Sequence, residues 1–314
     1  MELALMIEGQ NGVTWEEWVA LAQACESSGV GSLFRSDHYL DLSGQHPERG
    51  SLDAWATICG LAAVTSALRL GTMVSPATFR HPSELAKVAV TADHISGGRI
   101  ELGLGAGWHE REHAAYGFPF APTRTRMDIL EEHLQVLLGN WQDESFSFRG
   151  AHYQLVDLDA QPKPAHKPHP PLIMGGDAGP RSARLAAAYA DEYNTAFPTV
   201  ADVRERRGRI AEACAAAGRE MIPFSIMTTV IVGADQVDLR DRVTRVAGQT
   251  DMDADQLLGS PPESFIVGGV DQVAERLREL AQAGVDRVMC QHLAHRDTEF
   301  VALLGQRVAP LVAG

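Results

Sequence analysis

A carboxylate and an imidazole are adjacent in Asp37-His38, two residues beyond the short apolar run of residues 31–34. Such a run predicts a buried strand, so both side chains lie at its carboxyl-terminal tip. Enzymes built from alternating strands and helices keep their chemistry at such tips. His38 is therefore a candidate to move a proton, and Asp37 to bind a ligand or fix the imidazole tautomer. The alternative interpretation is a helix cap or a solvated loop.

Glycines follow two later candidate strands and suggest two different roles. Residues 175–181 end a strand and open a helix, so their backbone N–H groups, the helix N-terminus and Arg181 predict a phosphate site. Gly103, Gly105 and Gly107 alternate along a strand without the spacing of a dinucleotide fold. They predict flat space beside the strand, where a planar ring lies. The alternatives are an ordinary strand–helix turn and a β-bulge.

Residues 109–113 match the HExxH pattern of zinc proteases. That pattern usually lies in an apolar helix, whereas this segment is heavily charged and follows three glycines, so we expect no metal. We expect the polar first turn of a loop helix instead, with His109 at the edge of the pocket. His292, at the tip of the last candidate strand, is a further candidate pocket residue.

Short apolar runs alternate with amphipathic helical patterns along the chain. The candidate strands are 3–7, 33–35, 68–74, 99–104, 171–174, 192–195, 223–232 and 287–291, and the candidate helices are 14–28, 53–67, 82–95, 122–138, 180–189, 201–217, 271–283 and 298–311. Eight strand–helix pairs in 314 residues predict a single-domain (β/α)8 barrel of the TIM type, with a doubly wound open sheet as the alternative. Segments of about 140–169 and 235–263 exceed normal loop length and predict insertions, the first a hairpin followed by a proline-rich stretch.

The composition narrows the class of partner. The formal net charge is −14, with 45% hydrophobic and 22% charged residues. Such an acidic surface repels nucleic acid and anionic membranes, which favours a small-molecule substrate. Four widely spaced cysteines predict buried thiols in a reducing cytoplasm rather than a disulfide or zinc framework. We also expect no signal peptide and no membrane span.

Several motifs, taken in order, resemble the bacterial luciferase-like superfamily over nearly the full chain. They are Ser36–Tyr39, Arg69–Thr72, Phe79–Pro82, Ser96–Arg99, Gly103–Trp108, Ile173–Gly176 and Ala283–Val288. The resemblance implies a TIM-type barrel, a flavin or deazaflavin in its mouth, and a homodimer. Asp37-His38 matches the pair typical of the branch that uses coenzyme F420, which implies an F420-dependent oxidoreductase. An FMN-dependent monooxygenase is the alternative, and a non-catalytic barrel is a third hypothesis.

The resemblance also implies roles for individual positions. His38 would be the catalytic acid/base, and Asp37, Ser75 and Ala106 would contact the ring system or its chain. Thr72-Met73 falls where family members hold a non-proline cis peptide against the ring. The phosphate would lie against Gly175, Gly176, Asp177, Ala178, Gly179 and Pro180. Trp108 occupies the position at which sugar-phosphate dehydrogenases of this branch place a catalytic glutamate, which implies a flatter, more apolar substrate.

Overall fold

Eight parallel strands close into a barrel in this computed structural model, which describes residues 1–46, 48–250 and 252–313. The barrel strands are β1 (Glu2–Ile7), β2 (Ser32–Arg35), β3 (Arg69–Thr72), β4 (Ile100–Gly105), β5 (Leu172–Gly175), β6 (Glu192–Ala196), β7 (Phe224–Gly233) and β8 (Arg287–Gln291). Each strand pairs with the next in chain order, and β8 pairs with β1. The predicted (β/α)8 barrel is confirmed.

Helices pack around the outside of the barrel. They are α1 (Trp15–Ser28), α2 (Ala54–Val64), α3 (Pro82–Ser96), α4 (Glu110–Tyr116), α5 (Thr123–Gln142), α6 (Pro180–Tyr189), α7 (Val200–Ala216), α8 (Gln236–Ala247), α9 (Ala254–Gly259), α10 (Val270–Gln282), α11 (Thr298–Leu303) and α12 (Ala309–Val312). The α1 helix begins at a capping box between Thr14 and Glu17 and ends at Gly29, whose φ is 83°. Within the described residues, no helix is both long and apolar enough to cross a bilayer.

The core has two layers because side chains alternate across each strand. On β1, Leu3, Leu5 and Ile7 join the large cluster between the barrel and its helices. Ala4 and Met6 point into the barrel instead, where they form a smaller cluster with buried residues of other strands. The interior is therefore packed below the carboxyl-terminal mouth, which leaves the strand tips to build a site.

Charged side chains close the opposite, amino-terminal end of the barrel. Arg287, at the start of β8, places Nη2 2.7 Å from Glu101 Oε2 and 2.6 Å from Glu192 Oε2. All three residues are buried. Burial raises the pKa of Glu192 despite the opposing attraction of Arg287. This barrel-floor network is far from the strand tips and bears on stability.

The structure changes one predicted strand boundary and defines the secondary structure of the two predicted insertions. β3 ends at Thr72 rather than residue 74, and a short strand, Ser75–Pro76, pairs with the end of β4. Residues 146–149 and 154–158 form the predicted antiparallel hairpin. The second insertion forms α8 and α9, and the strand Ile266–Gly269 then pairs with the distal half of β7.

Candidate active site

A cavity of about 980 Å³ opens at the carboxyl-terminal ends of the barrel strands. Its volume lies at the upper end of the usual range for small-molecule sites, roughly 300–1,000 Å³. Seven predicted site residues line it: His38, Met73, Ala106, Trp108, Gly175, Gly176 and Asp177. Separate segments of the chain therefore converge on one cavity, as the strand-tip pattern predicts.

His38 is held on the cavity wall by a buried glutamate. His38 Nδ1 lies 2.7 Å from Oε2 of Glu112, which is fully buried. The other oxygen, Oε1, accepts the backbone N–H groups of Tyr39 and Leu40. Burial opposes ionisation of Glu112, but these hydrogen bonds outweigh it and lower its pKa. An ionised carboxylate only accepts hydrogen bonds, so Nδ1 carries the proton and Nε2 is the basic nitrogen of His38.

The HExxH segment supplies this glutamate rather than the histidine pair of a zinc protease. His113 is buried, with Nε2 2.7 Å from Thr78 Oγ1 and Nδ1 2.8 Å from the His109 carbonyl oxygen. The side chains of His109 and Glu112 face His38 instead, and ligand-capable atoms of these three residues lie within 4.8 Å of one another. Sequence reasoning missed Glu112, although its place on the same short helix as His109 is a signal that could have found it.

Asp37 lies behind the cavity wall rather than on it. Its Oδ2 accepts hydrogen bonds from Ser75 Oγ at 2.7 Å and Arg80 Nη1 at 2.5 Å, and the residue is 1% exposed. Ser75 Oγ in turn accepts the indole N–H of Trp55 at 3.0 Å. The side chain of Asp37 is paired with an arginine 43 residues later in the chain, and Asp37 and Ser75 together support the loop that carries His38. Their contacts with a ring system stay predictions.

A bulge after β3 forms one side of the cavity. The cis peptide joins Met73 and Val74, one bond beyond the predicted position, and both residues line the cavity. Thr72 is buried and donates its hydroxyl to the Gly103 carbonyl at 3.0 Å, and its cofactor contact stays a prediction. A Cβ at Gly103 would lie 2.1 Å from Thr72 O, and one at Gly105 2.8 Å from Val74 Cγ2. The glycines thus make room for the bulge, and Val74 is a surface that the bulge presents to the cavity.

Only half of the predicted phosphate turn reaches the cavity. Residues 175–177 line it, whereas Ala178, Gly179 and Pro180 do not. The N–H groups of Gly176 and Ala178 already donate to β6, the first to a backbone carbonyl at 3.0 Å and the second to a tyrosine hydroxyl at 2.7 Å. The backbone N–H of Asp177 makes no hydrogen bond within the described part of the chain, so it is free to donate to an anion.

The cation beside this turn is Arg206 rather than Arg181. Arg181 is paired with two acids of α5, at 2.6 and 2.8 Å. Arg206, from α7, has Nη1 3.1 Å from Asp177 Oδ1, and it also bonds the Thr195 hydroxyl. The Asp177 side chain is 84% exposed, so its ion pair with Arg206 is weak and another anion can replace the carboxylate.

The three predicted pocket residues lie in different places. Trp108 lines the mouth, is 62% exposed, and has its ring centroid 5.7 Å from that of His38. His109 is buried beside them, with Nδ1 3.6 Å from Glu112 Oε2. His292 stacks on Phe300 at 4.1 Å, and burial lowers its pKa to about 3. It does not line the described cavity, because the preceding residue of the strand faces the cavity and side chains alternate.

A carboxylate at the tip of β1 was missed by sequence reasoning. Glu8 lines the cavity, and its oxygens accept the amide N–H groups of Gln10 at 2.8 Å and Gln291 at 2.6 Å. Gln291 Oε1 accepts the Thr229 hydroxyl at 2.6 Å. The strand-tip argument that singles out Asp37-His38 applies equally to Glu8, which directly follows β1.

The sequence matches the profile of the luciferase-like monooxygenase family over residues 1–287. The chain therefore belongs to this family, as its motifs predict. One relative is the F420-dependent hydroxymycolic acid dehydrogenase of Mycobacterium tuberculosis, 32% identical over 263 residues, 83% of this chain and 62% of the relative. Another is the FMNH(2)-dependent dimethylsulfone monooxygenase of Pseudomonas putida, 28% identical over 282 residues, 80% and 76% of the two chains.

A solved structure supports the fold. The structure of an F420-dependent secondary alcohol dehydrogenase in complex with an F420-acetone adduct matches with a TM-score of 0.83 over 100% of both chains, at 18% identity. Relatives of this chain thus include F420-dependent and FMNH2-dependent enzymes within one family of oxidoreductases.

Proposed function

We propose that this protein is an F420-dependent oxidoreductase that transfers a hydride between the deazaflavin and an alcohol or its carbonyl counterpart. The observation that carries the proposal is the His38–Glu112 pair, which presents a basic imidazole nitrogen on the wall of a cavity large enough for a ring and a substrate. Alcohol oxidation needs a base for the hydroxyl proton whenever hydride leaves the carbon.

The residues present fit the cofactor. Met73, Val74 and Ala106 supply an apolar surface for the ring system. The phosphate would lie against the N–H of Asp177 and the guanidinium of Arg206, because this is the turn where a backbone donor and a cation meet beside the cavity. When bound, the deazaflavin supplies a carbon that accepts or gives back two electrons as hydride.

The protein's own part in the reaction is to move and hold a proton. His38 Nε2 takes the hydroxyl proton of the alcohol as the C–H bond gives up its hydride, which leaves a carbonyl and an imidazolium. Glu112, 2.7 Å from Nδ1, stabilises that imidazolium and keeps the ring in one tautomer. In the reverse direction the imidazolium returns the proton to the developing alkoxide.

Two further observations support the choice of cofactor. The relative at 32% identity is by name an F420-dependent dehydrogenase. The cavity wall around His38 also offers an acid/base pair, which alcohol–carbonyl exchange requires. A deazaflavin reacts poorly with oxygen, so this proposal excludes monooxygenation.

The test is a titration of the cofactor-free protein with F420 and, separately, with FMN, followed by their fluorescence. We expect F420 to bind at micromolar concentrations or below, and a panel of alcohols to reduce it. Micromolar binding of FMN with no response to F420 would overturn the proposal in favour of an FMN-dependent monooxygenase. Binding of F420 without hydride transfer from any alcohol, or to any enone or imine, would favour a non-catalytic barrel.

A further inference from the structure

Side chains at the tips of β1, β2 and β8, together with Thr229 of β7 beside Gln291, form one hydrogen-bonded chain, here called the acceptor wall. Its members are Glu8, Gln10, Ser36, Thr229 and Gln291. A carboxylate can only accept, so both glutamines must turn their NH2 groups toward Glu8. Their carbonyl oxygens then accept from hydroxyls, Thr229 to Gln291 at 2.6 Å and Ser36 to Gln10 at 2.5 Å.

This network uses both hydroxyl donors of the wall, and one of the two N–H groups of each glutamine, within the wall itself. The two hydroxyl protons go to amide oxygens, and an amide proton of each glutamine goes to Glu8. What Glu8 offers the cavity is the remaining lone pairs of an ionisable carboxylate. A ligand group seated against it is therefore a donor, and a positively charged donor gains most.

The acceptor wall lies across the barrel from the phosphate turn. Strands pair in chain order around the closed barrel, so β5, which ends at Gly175, is four strands from β1, which ends just before Glu8. The β1 register places Ile7 beside Arg35, so Glu8 stands next to Ser36, two residues before His38. The carboxylate thus serves a ligand near the imidazole rather than the anionic tail of a cofactor.

The rest of the cavity offers no anchor for an anionic substrate. Within the described residues, no lysine or arginine lines it. Its outer part is apolar, with Leu42, Phe197, Phe265 and Leu293 beside Trp108. A carboxylate in such surroundings repels acids and favours cations, because the low local dielectric strengthens both interactions.

We propose that the substrate is a cationic amino alcohol, or the matching amino ketone, whose ammonium group binds Glu8 while its hydroxyl or carbonyl oxygen lies at His38. The inference rests on the proposed function for the identity of the reacting group. It goes further in assigning charge selectivity to Glu8, a residue that the proton transfer does not use.

The test compares three probes of similar shape that differ in one terminal group: 4-amino-2-butanol, the neutral 2-pentanol and the anionic 3-hydroxybutanoate. Dissociation constants are measured by calorimetry with and without F420, and turnover is measured with F420. We expect the wild-type protein to bind the amine at least about tenfold more tightly than the neutral probe, with the acid weakest.

Three variants locate the effect. Glu8→Gln keeps the shape of the side chain and should reduce the preference for the amine to within about threefold, with F420 binding unchanged. Glu8→Asp keeps the negative charge but shortens the side chain by one methylene, so it should retain an intermediate preference for the amine. This second variant keeps the test decisive if Glu8→Gln proves too unstable to assay. Glu110→Gln removes an exposed charge near the mouth and should change nothing.

The outcomes separate this inference from the proposed function. Reduction of F420 by the neutral alcohol with no preference for the amine would overturn the inference and leave the function intact. Loss of F420 binding in Glu8→Gln would also overturn it, because the carboxylate would then face the cofactor. A preference for the amine that depends on Glu8, in a protein that neither binds nor reduces F420, would support the inference and overturn the function.

Discussion

Replacing Glu112 with glutamine should remove the basic nitrogen of His38 from the active site without unfolding the protein. In the wild-type protein, Oε1 of Glu112 accepts two backbone N–H groups and Oε2 faces His38 Nδ1 at 2.7 Å. A glutamine must keep its oxygen toward the two backbone donors, so its NH2 group faces Nδ1. His38 Nδ1 then becomes an acceptor, the proton moves to Nε2, and the nitrogen available to the substrate can no longer take a proton.

The size of the effect follows from this change of tautomer. General acid–base catalysis contributes about 10²–10⁴ in rate. At about 1.36 kcal/mol for each factor of ten, the loss corresponds to about 3–5 kcal/mol of transition-state stabilisation. The loss should fall on kcat, because the glutamate does not line the cavity and the cofactor residues are untouched.

The assay is steady-state reduction of F420 by an alcohol across pH, with Glu110→Gln as the matched control. We expect Glu112→Gln to lose about 10²–10⁴ in kcat across the pH range, with an unchanged dissociation constant for F420. Activity within about threefold of wild type, with the same pH profile, would refute the assignment of Glu112 as a positioning residue.

Three further predictions concern the cofactor, the barrel floor and the bulge. Arg206→Ala should weaken F420 binding by about tenfold or more in fluorescence titrations, since a charge-assisted hydrogen bond is lost, whereas Arg181→Ala should not; equal effects would contradict the assignment. Arg287→Met leaves buried Glu192 without its arginine and leaves Glu101 with Arg69 alone, at 3.2 Å. It should cost about 3–5 kcal/mol, roughly 5–8 °C in Tm, against little change for the exposed Arg240→Met; a Tm within about 2 °C of wild type would contradict the burial argument. Gly103→Ala should lower the free energy of unfolding by about 1–3 kcal/mol in urea titrations, because its Cβ meets the chain at the bulge; an unchanged midpoint would exclude that close approach.

The stability of the Arg287→Met variant should also depend on pH. Burial already raises the pKa of Glu192 in the folded protein, and removal of the arginine takes away the opposing attraction. A raised folded-state pKa means that the folded protein binds this proton more tightly than the unfolded chain does. The stability gap between wild type and variant should therefore narrow as the pH falls from about 7 to about 5.

The fold could be predicted from the sequence because each barrel element carries a local signal. Apolar runs, Thr14 with Glu17 at a helix start, and Gly29 at a helix end locate strands and helices without knowledge of their neighbours. The end of β3 could not be predicted, because the bulge that terminates it depends on room left by glycines of another strand.

The place of a candidate residue could be predicted where it depends only on a strand tip, as for His38, which lines the cavity. The distant side chains that lie beside these residues could not be predicted. Asp37 is occupied by Arg80, 43 residues later, and His38 is oriented by Glu112, 74 residues later. Arg181 is adjacent in sequence to the phosphate turn, yet Arg206 from the next helix reaches it. Such pairings follow from barrel closure and not from local spacing.

The central claim is that His38 moves the proton that accompanies hydride transfer in an F420-loaded barrel. The most direct measurement compares His38→Ala with wild type in two ways: the dissociation constant for F420, and the rate of hydride transfer from an alcohol to the bound cofactor. The account predicts an affinity within about threefold of wild type and a rate lower by about 10²–10⁴. A His38→Ala protein that transfers hydride at the wild-type rate would contradict it.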